Sequence, residues 1–329
     1  MAVSTPDPVA FDPADAADLS GDRRGGRVDG GFRVLTVIAA LLVLAVLALI
    51  AVSTVREAWP VFREAGLGFV TSDSWLPNDH QFGGLAFLYG TAVVSAIAIV
   101  IAVPVSVGIA LFTTELAPRR LRTAITLVVD LLAAVPSVVY GLWGIAVLAP
   151  NITGLYKSIA SAVSGIPGLN IIFGEGGTGR SYMTAGLIVA LMIVPIITSI
   201  SREVFATVPP GEKDAALALG ATRWEMIRGA VFPHSFGGIV GAVMLGLGRA
   251  MGETIAIALV IGSSIRISGN LFNSGTAIPE VIALQWGESS GTYRSALVGL
   301  GVLLFALTIV INTMARAVVA RAELRMRGA

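Results

Sequence analysis

Charge is missing from this chain in blocks. Six stretches contain no Asp, Glu, Lys or Arg: 34–55, 80–114, 131–156, 181–201, 229–248 and 295–315. Each approaches or exceeds the ~20 residues that a helix needs to cross ~30 Å of hydrocarbon. Charged residues make up 13% of the 329 residues, about half the share of a soluble domain, and the mean hydropathy is +0.84. We therefore read an all-α integral membrane protein with six transmembrane helices, at about 33–55, 85–113, 123–149, 182–207, 236–265 and 294–318. The fifth run resumes at 254–265 after Arg249 and Glu253.

Lys and Arg set the orientation, because basic loops stay on the cytoplasmic side. They cluster in the N-terminal tail (Arg23, Arg24, Arg27, Arg33), after the second span (Arg119, Arg120, Arg122), around 202–228 (Arg202, Lys213, Arg223, Arg228) and at the C-terminus (Arg316, Arg321, Arg325, Arg327). The other three loops hold Arg56, Arg63, Lys157, Arg180, Arg266 and Arg294. Both termini are expected to be cytoplasmic. The net charge of +1 leaves no basic surplus for nucleic acid, and with no cysteine there is neither a disulfide nor a thiolate metal site. Residues 1–32 read as a disordered tail, 33–55 as a retained anchor (TM1) rather than a cleaved signal peptide, and 85–320 as the core carrying the other five spans.

The outward loops, roughly 56–84, 150–181 and 266–293, carry Trp59, Trp75 and Trp286 and are expected to be short interfacial turns. Residues 165–179 are too glycine-rich for a helix. Pro104, Pro136 and Pro195 fall inside spans and should bend them. Gly237 with Gly241, and Gly248 with Gly252, give the fifth span small residues at four-residue spacing, which lets another helix come close. A P-loop needs a Lys after Gly and before Ser or Thr; Lys157 follows Tyr156, and Lys213 follows Glu212. With His80 and His234 far apart, an HExxH metal helix is also excluded.

A polar island interrupts the apolar chain at 212–233, reading EKDAALALGATRWEMIRGAVFP. Pro209-Pro210-Gly211 opens a first short helix, with Glu212 and Asp214 in its first turn where the dipole favours acids. Gly220 permits the left-handed turn that ends it. Thr222 with Glu225 forms a capping box for a second helix over 222–230, and Pro233 closes the segment. Capping signals specify a shape and not a partner. The pattern Asp214-Ala215-Ala216, three residues, Gly220, nine residues, then Ala230-Val231-Phe232-Pro233 resembles the EAA loop of ABC-importer permeases. It departs from E-A-A-x3-G-x9-I-x-L-P by Asp for Glu, Ala230 for Ile and Phe232 for Leu. The resemblance implies a type I ABC importer permease fold and a coupling helix seated on a separate ATPase, which would use the ATP and Mg that this chain does not bind.

Arg249 lies roughly 20 Å along the fifth span, and Glu253 follows at i+4, a spacing that puts both on one helix face as a pair. An Arg at that depth costs at least ~2.5–3.5 kcal/mol and should face the bundle interior. Its planar fork matches an oxyanion in a dry site, although a static salt bridge remains the alternative. GLGRAMGETIAIALVIG (246–262), with FLYGT (87–91) and AAVPSVVYGLWG (133–144), resembles the permeases of Pst-type phosphate importers, the PstC type rather than its PstA partner. The resemblance implies inorganic phosphate as cargo and Arg249 and Glu253 on its path. It also implies a PstA-like second permease, a PstB-like ATPase pair and a PstS-like extracytoplasmic binding protein, all around a chain embedded in lipid. Two other readings stay open: a secondary anion transporter with Asp130, Arg249 and Glu253 as an ion relay, and an ABC permease for another oxyanion.

Overall fold

The computed structural model describes residues 23–327. It divides into two compact units, residues 1–53 and 54–329. In the first, the described part is the start of helix α1 (Arg23–Ala65), whose Phe32, Leu35, Ile38, Leu42 and Leu49 are all exposed. A helix that is apolar all round is suited to lipid. The tail expected over 1–32 lies outside the described residues as far as residue 22. From Arg23 the backbone is already helical, because extending a formed helix by further turns costs little.

The second unit contains α2 (Leu85–Leu116), α3 (Arg119–Ala134), α4 (Ser137–Val163), α5 (Tyr182–Ala206), α6 (Pro210–Ala218), α7 (Arg223–Gly252), α8 (Ile255–Val260), α9 (Ile278–Gln285) and α10 (Gly291–Arg327). A strand pair, β1 (Trp75–Leu76) and β2 (Gln81–Phe82), precedes α2. Among the described residues, six helices are long and apolar enough to cross a membrane: α1, α2, α4, α5, α7 and α10. The central helix is α5. Its Ala185, Ile188, Val189 and Met192 pack with Val94, Ala98 and Ala102 of α2 in the main core. Gly186 lets Ile97 of α2 come so close that a Cβ would meet it at 2.4 Å. The Ser106 hydroxyl ties the same pair, donating to the Val194 carbonyl at 3.1 Å.

The third and fifth spans are broken rather than continuous. Between α3 and α4 the backbone is extended at Val135 and Pro136, since the proline clashes with a preceding helical residue. The pieces on either side follow α5: Thr126 accepts from Arg202, Leu132 lines a groove with Val194 and Pro195, and Gly144 abuts Ile188. The expected span 123–149 therefore falls on two helices, of which α4 alone, continuing as helix to Val163 through residues expected to be loop, is long and apolar enough to cross. The Tyr140 hydroxyl bridges the break, donating to the Leu132 carbonyl at 2.8 Å. Pro104 and Pro195, by contrast, sit inside continuous helices.

The small-residue stripe that packs in α7 is not the expected one. Gly238, Ala242, Gly246 and Ala250 pack inward, with Gly238 against Val204 and Gly246 against Ile197. Gly241, Gly248 and Gly252 have nothing within 4 Å of where a Cβ would stand. Nor are the outward loops simple turns. Val61, Phe69, Trp75, Phe82, Phe87, Ile278, Val281 and Leu297 form a second small core. At its centre Trp75 stacks edge-on to Phe87 at 4.9 Å, and its indole N–H donates to Gln285 at 2.9 Å. One tryptophan expected at an interface is a core residue here, because its polar edge has found an acceptor in the partly buried Gln285.

Candidate translocation site and docking island

The island folds as its residues specify. Pro209 precedes α6 (Pro210–Ala218), and Gly220 takes φ +87°, the left-handed turn that glycine permits. Thr222 accepts from the Glu225 N–H, and the Glu225 carboxylate accepts from the Thr222 N–H at 2.7 Å. The second helix does not stop at Pro233. Arg223–Gly252 is one helix, and Pro233 lies just after a π turn at Ile227–Val231. The wider turn takes up the mismatch that a missing N–H creates. Ala216 packs inward with Val208, Met226 and Ile227. Asp214, Ala215 and Gly220 face outward, together with Leu217, Leu219 and Trp224.

An anchor absent from the sequence reading holds the island to the end of α2. The Lys213 ammonium meets the Glu115 carboxylate at 2.6 Å, both side chains largely shielded from solvent. Arg223 donates to the Glu115 carbonyl at 3.3 Å. Glu115 sits in the π turn Phe112–Leu116. Its partner lies 98 residues away, so local spacing carried no hint of the pair.

At the other end of α7 the expected pair is not formed. Helical geometry ends at Gly252, and Glu253 is extended with ψ 128°. The i+4 relation holds only within one helix, so the break removes it. Among the described residues no ion pair joins Arg249 to Glu253. Arg249 is exposed, on the open face that also carries Gly241, Leu245, Gly248 and Gly252. Glu253 is buried, at 7% exposure, and its carboxylate accepts from the Ala256 N–H at 3.2 Å. It caps α8 instead of neutralising the arginine. Against α8 lies α4, where Gly141 comes so close that a Cβ would meet the Ala256 Cα at 2.8 Å. Both broken spans thus meet beside Glu253.

The structure keeps the two groups of predicted residues apart. From Pro233 to Arg249 the helix rises ~24 Å, so island and guanidinium occupy opposite ends of α7. Asp130 is exposed on α3, and among the described residues no ion pair links it to Arg249 or Glu253. The relay of the secondary-transporter reading is not assembled.

Long apolar helices packed on a central one, a capped helical island and an exposed arginine within one of those helices suit a membrane permease. The family model "Binding-protein-dependent transport system inner membrane component" matches residues 102–327. The chain is 46% identical over 92% of its length, and 93% of the relative's, to the phosphate transport system permease protein PstC of Mesorhizobium japonicum. It is 40% identical to the PstC protein of Haemophilus influenzae, over 90% of this chain and 94% of that one. With PstC 2 of Mycobacterium tuberculosis the figure is 41%, over 92% and 94%. In fold it matches a solved bacterial alginate ABC transporter in complex with an alginate pentasaccharide-bound periplasmic protein. The TM-score is 0.59 at 16% identity, covering 88% of this chain and 96% of that one. The chain belongs to the PstC family of binding-protein-dependent inner membrane permeases.

Proposed function

We propose that this chain is the permease subunit of an ATP-driven phosphate importer, with Arg249 as the residue that meets the anion. The observation that carries the site is the guanidinium of Arg249, without an ion-pair partner among the described residues, on an open, glycine-lined face of a membrane-spanning helix. A cation at that depth is expensive unless something compensates it, and among the described residues nothing does. A PstA-like permease closing over the Gly241–Gly248–Gly252 face would leave the guanidinium lining the seam between two subunits. There its fork would offer a passing phosphate bidentate hydrogen bonds. Glu253, one helix break away and turned inward, keeps a carboxylate near the route without quenching the arginine. This arrangement favours passage over tight binding.

The island supplies the drive. Exposed Leu217, Leu219 and Trp224 on a capped helical pair, braced by Lys213 and Glu115, suit the groove of a PstB-like ATPase. Asp214, Ala215, Ala216, Gly220 and Pro233 set its shape. The basic clusters support a cytoplasmic island and cytoplasmic termini, with a PstS-like binding protein on the other side. Uptake of radiolabelled phosphate by Arg249→Gln, with assembly of the complex confirmed, tests the site. Transport should fall by at least tenfold, and uptake at the wild-type rate would sink the assignment. Competition by sulfate in the reconstituted complex tests the cargo: phosphate uptake unaffected by excess sulfate supports phosphate, and equal inhibition marks a general oxyanion path.

A further inference from the structure

Two buried carboxylates bracket the six-residue helix α8. Glu253 caps its start through the Ala256 N–H. Glu280, with 0% exposure, holds the turn just past its end. The Ser263 hydroxyl donates to one Glu280 oxygen. The Thr276 hydroxyl at 3.1 Å and the Ala277 N–H at 3.0 Å donate to the other. That turn needs holding: Gly262 and Ser263 both have positive φ, +94° and +54°, and for serine this conformation is disfavoured. The last carbonyls of α8 are satisfied from outside as well. Val260 accepts from the Ser181 N–H and Ile261 from the Gly275 N–H. Gly275 in turn packs against the Tyr182 ring with no room for a side chain. Every fixed point of α8 therefore lies off its own chain segment, apart from Glu253.

We infer that Glu280 is a positioning residue for transport: with Glu253 it clamps both ends of α8 and so fixes the helix break beside Arg249. The inference rests on the reading of Arg249 as the anion-contacting residue. Glu280 itself touches no anion. Releasing its end of α8 frees the Gly262–Ser263 turn, lets α8 slide on Gly141, and shifts the backbone at Glu253. A displacement on the order of 1 Å at a working site costs up to about a hundredfold in rate.

The test uses the complete importer in proteoliposomes and reads phosphate imported per ATP hydrolysed. Glu280→Ala should lower that ratio about tenfold in an assembled complex. Glu280→Gln should restore it to within about twofold, because the amide oxygen can accept from Thr276 and Ala277 while the Ser263 hydroxyl rotates to accept from the amide NH2. Ser263→Ala, which removes one clamp bond, should lower the ratio in the same direction, and it decides the matter if Glu280→Ala fails to assemble. An unchanged ratio in these variants overturns the inference. So does a loss of ATP hydrolysis in step with transport, or a Gln variant as defective as Ala. Arg249→Gln in the same assay separates the two ideas: if it abolishes import while Glu280→Ala and Ser263→Ala leave the ratio intact, only the positioning role fails. If it transports normally, the reading of the site fails.

Discussion

Arg249 and Glu253 are four residues apart in sequence, but a helix break divides their roles. Substitutions should separate those roles. Arg249→Lys keeps the charge and loses the fork, so phosphate uptake should fall well below wild type; full uptake would reduce the residue to a point charge. Glu253→Gln keeps an acceptor for the Ala256 N–H and should be mild, whereas Glu253→Ala removes the cap, at about 1 kcal/mol, and should lower thermal stability in detergent. Glu280 adds a pH signature. Burial pushes its carboxyl above the ordinary range, against the lowering effects of Ser263, Ala277, Thr276 and nearby Arg180. A raised folded-state pKa means that the native state holds the proton more tightly, so relative stability is gained as pH falls towards the unfolded value and lost as pH rises through the folded one. Melting temperatures of wild type and Glu280→Gln across that window should converge at the acidic end. Parallel curves would contradict the assignment. The sequence showed which residues were out of place in lipid, since a charge in an apolar run needs no structure to be noticed. It did not show Glu280 as buried, because an acid between Pro279 and Val281 in a loop reads as solvated until the fold brings Ser263, 17 residues upstream, against it.

Among the elements, the island was the most legible, because its signals are local. Pro209, Gly220, Thr222 and Glu225 act within one turn of where they stand, and the structure places the turn and the capping box as expected. Gly220 has free space around it but φ +87°, so Gly220→Ala should cost about 1–2 kcal/mol by conformation alone. In the assembled importer it should weaken phosphate-driven ATP hydrolysis more than it weakens association with the second permease; equal loss of both would place the residue outside the coupling contact. The breaks at Val135–Pro136 and Gly252–Glu253 were less legible. Hydropathy runs through the first without a mark, and at the second the charges of Arg249 and Glu253 interrupt the apolar run without saying that the helix ends there; Pro104 and Pro195 show that a proline within an apolar run does not by itself stop a helix. The difference lies in what fills the gap: Tyr140 at the first break, Glu253 and Thr254 at the second.

For the whole molecule, the glycines of α7 divide its surface into a face committed to this chain and a face left open. Gly246→Leu drives a side chain into Ile197, 2.8 Å from where even a Cβ would stand, and should prevent folding of the isolated chain. Gly248→Leu meets nothing and should leave the melting temperature within a few degrees while abolishing co-purification with the second permease. Retained association would mean that the partner sits elsewhere. Which stripe packs inward could not be read from spacing, since Gly237–Gly241 and Gly238–Ala242 are equally good small pairs until α5 selects one. Another consequence follows from α7 itself. It runs from Arg223, on the island, to Gly252 without a break in helical backbone, a rod of ~45 Å. A helix shortens or stretches far less readily than the loops at its ends, so a push on Trp224 arrives at Arg249 nearly undiminished. Beyond Gly252 the rod ends and α8 is moored to other parts of the fold. The stroke of an engine on one side of the membrane would therefore be delivered to the guanidinium and stop there, shearing the arginine past a carboxylate that stays in place.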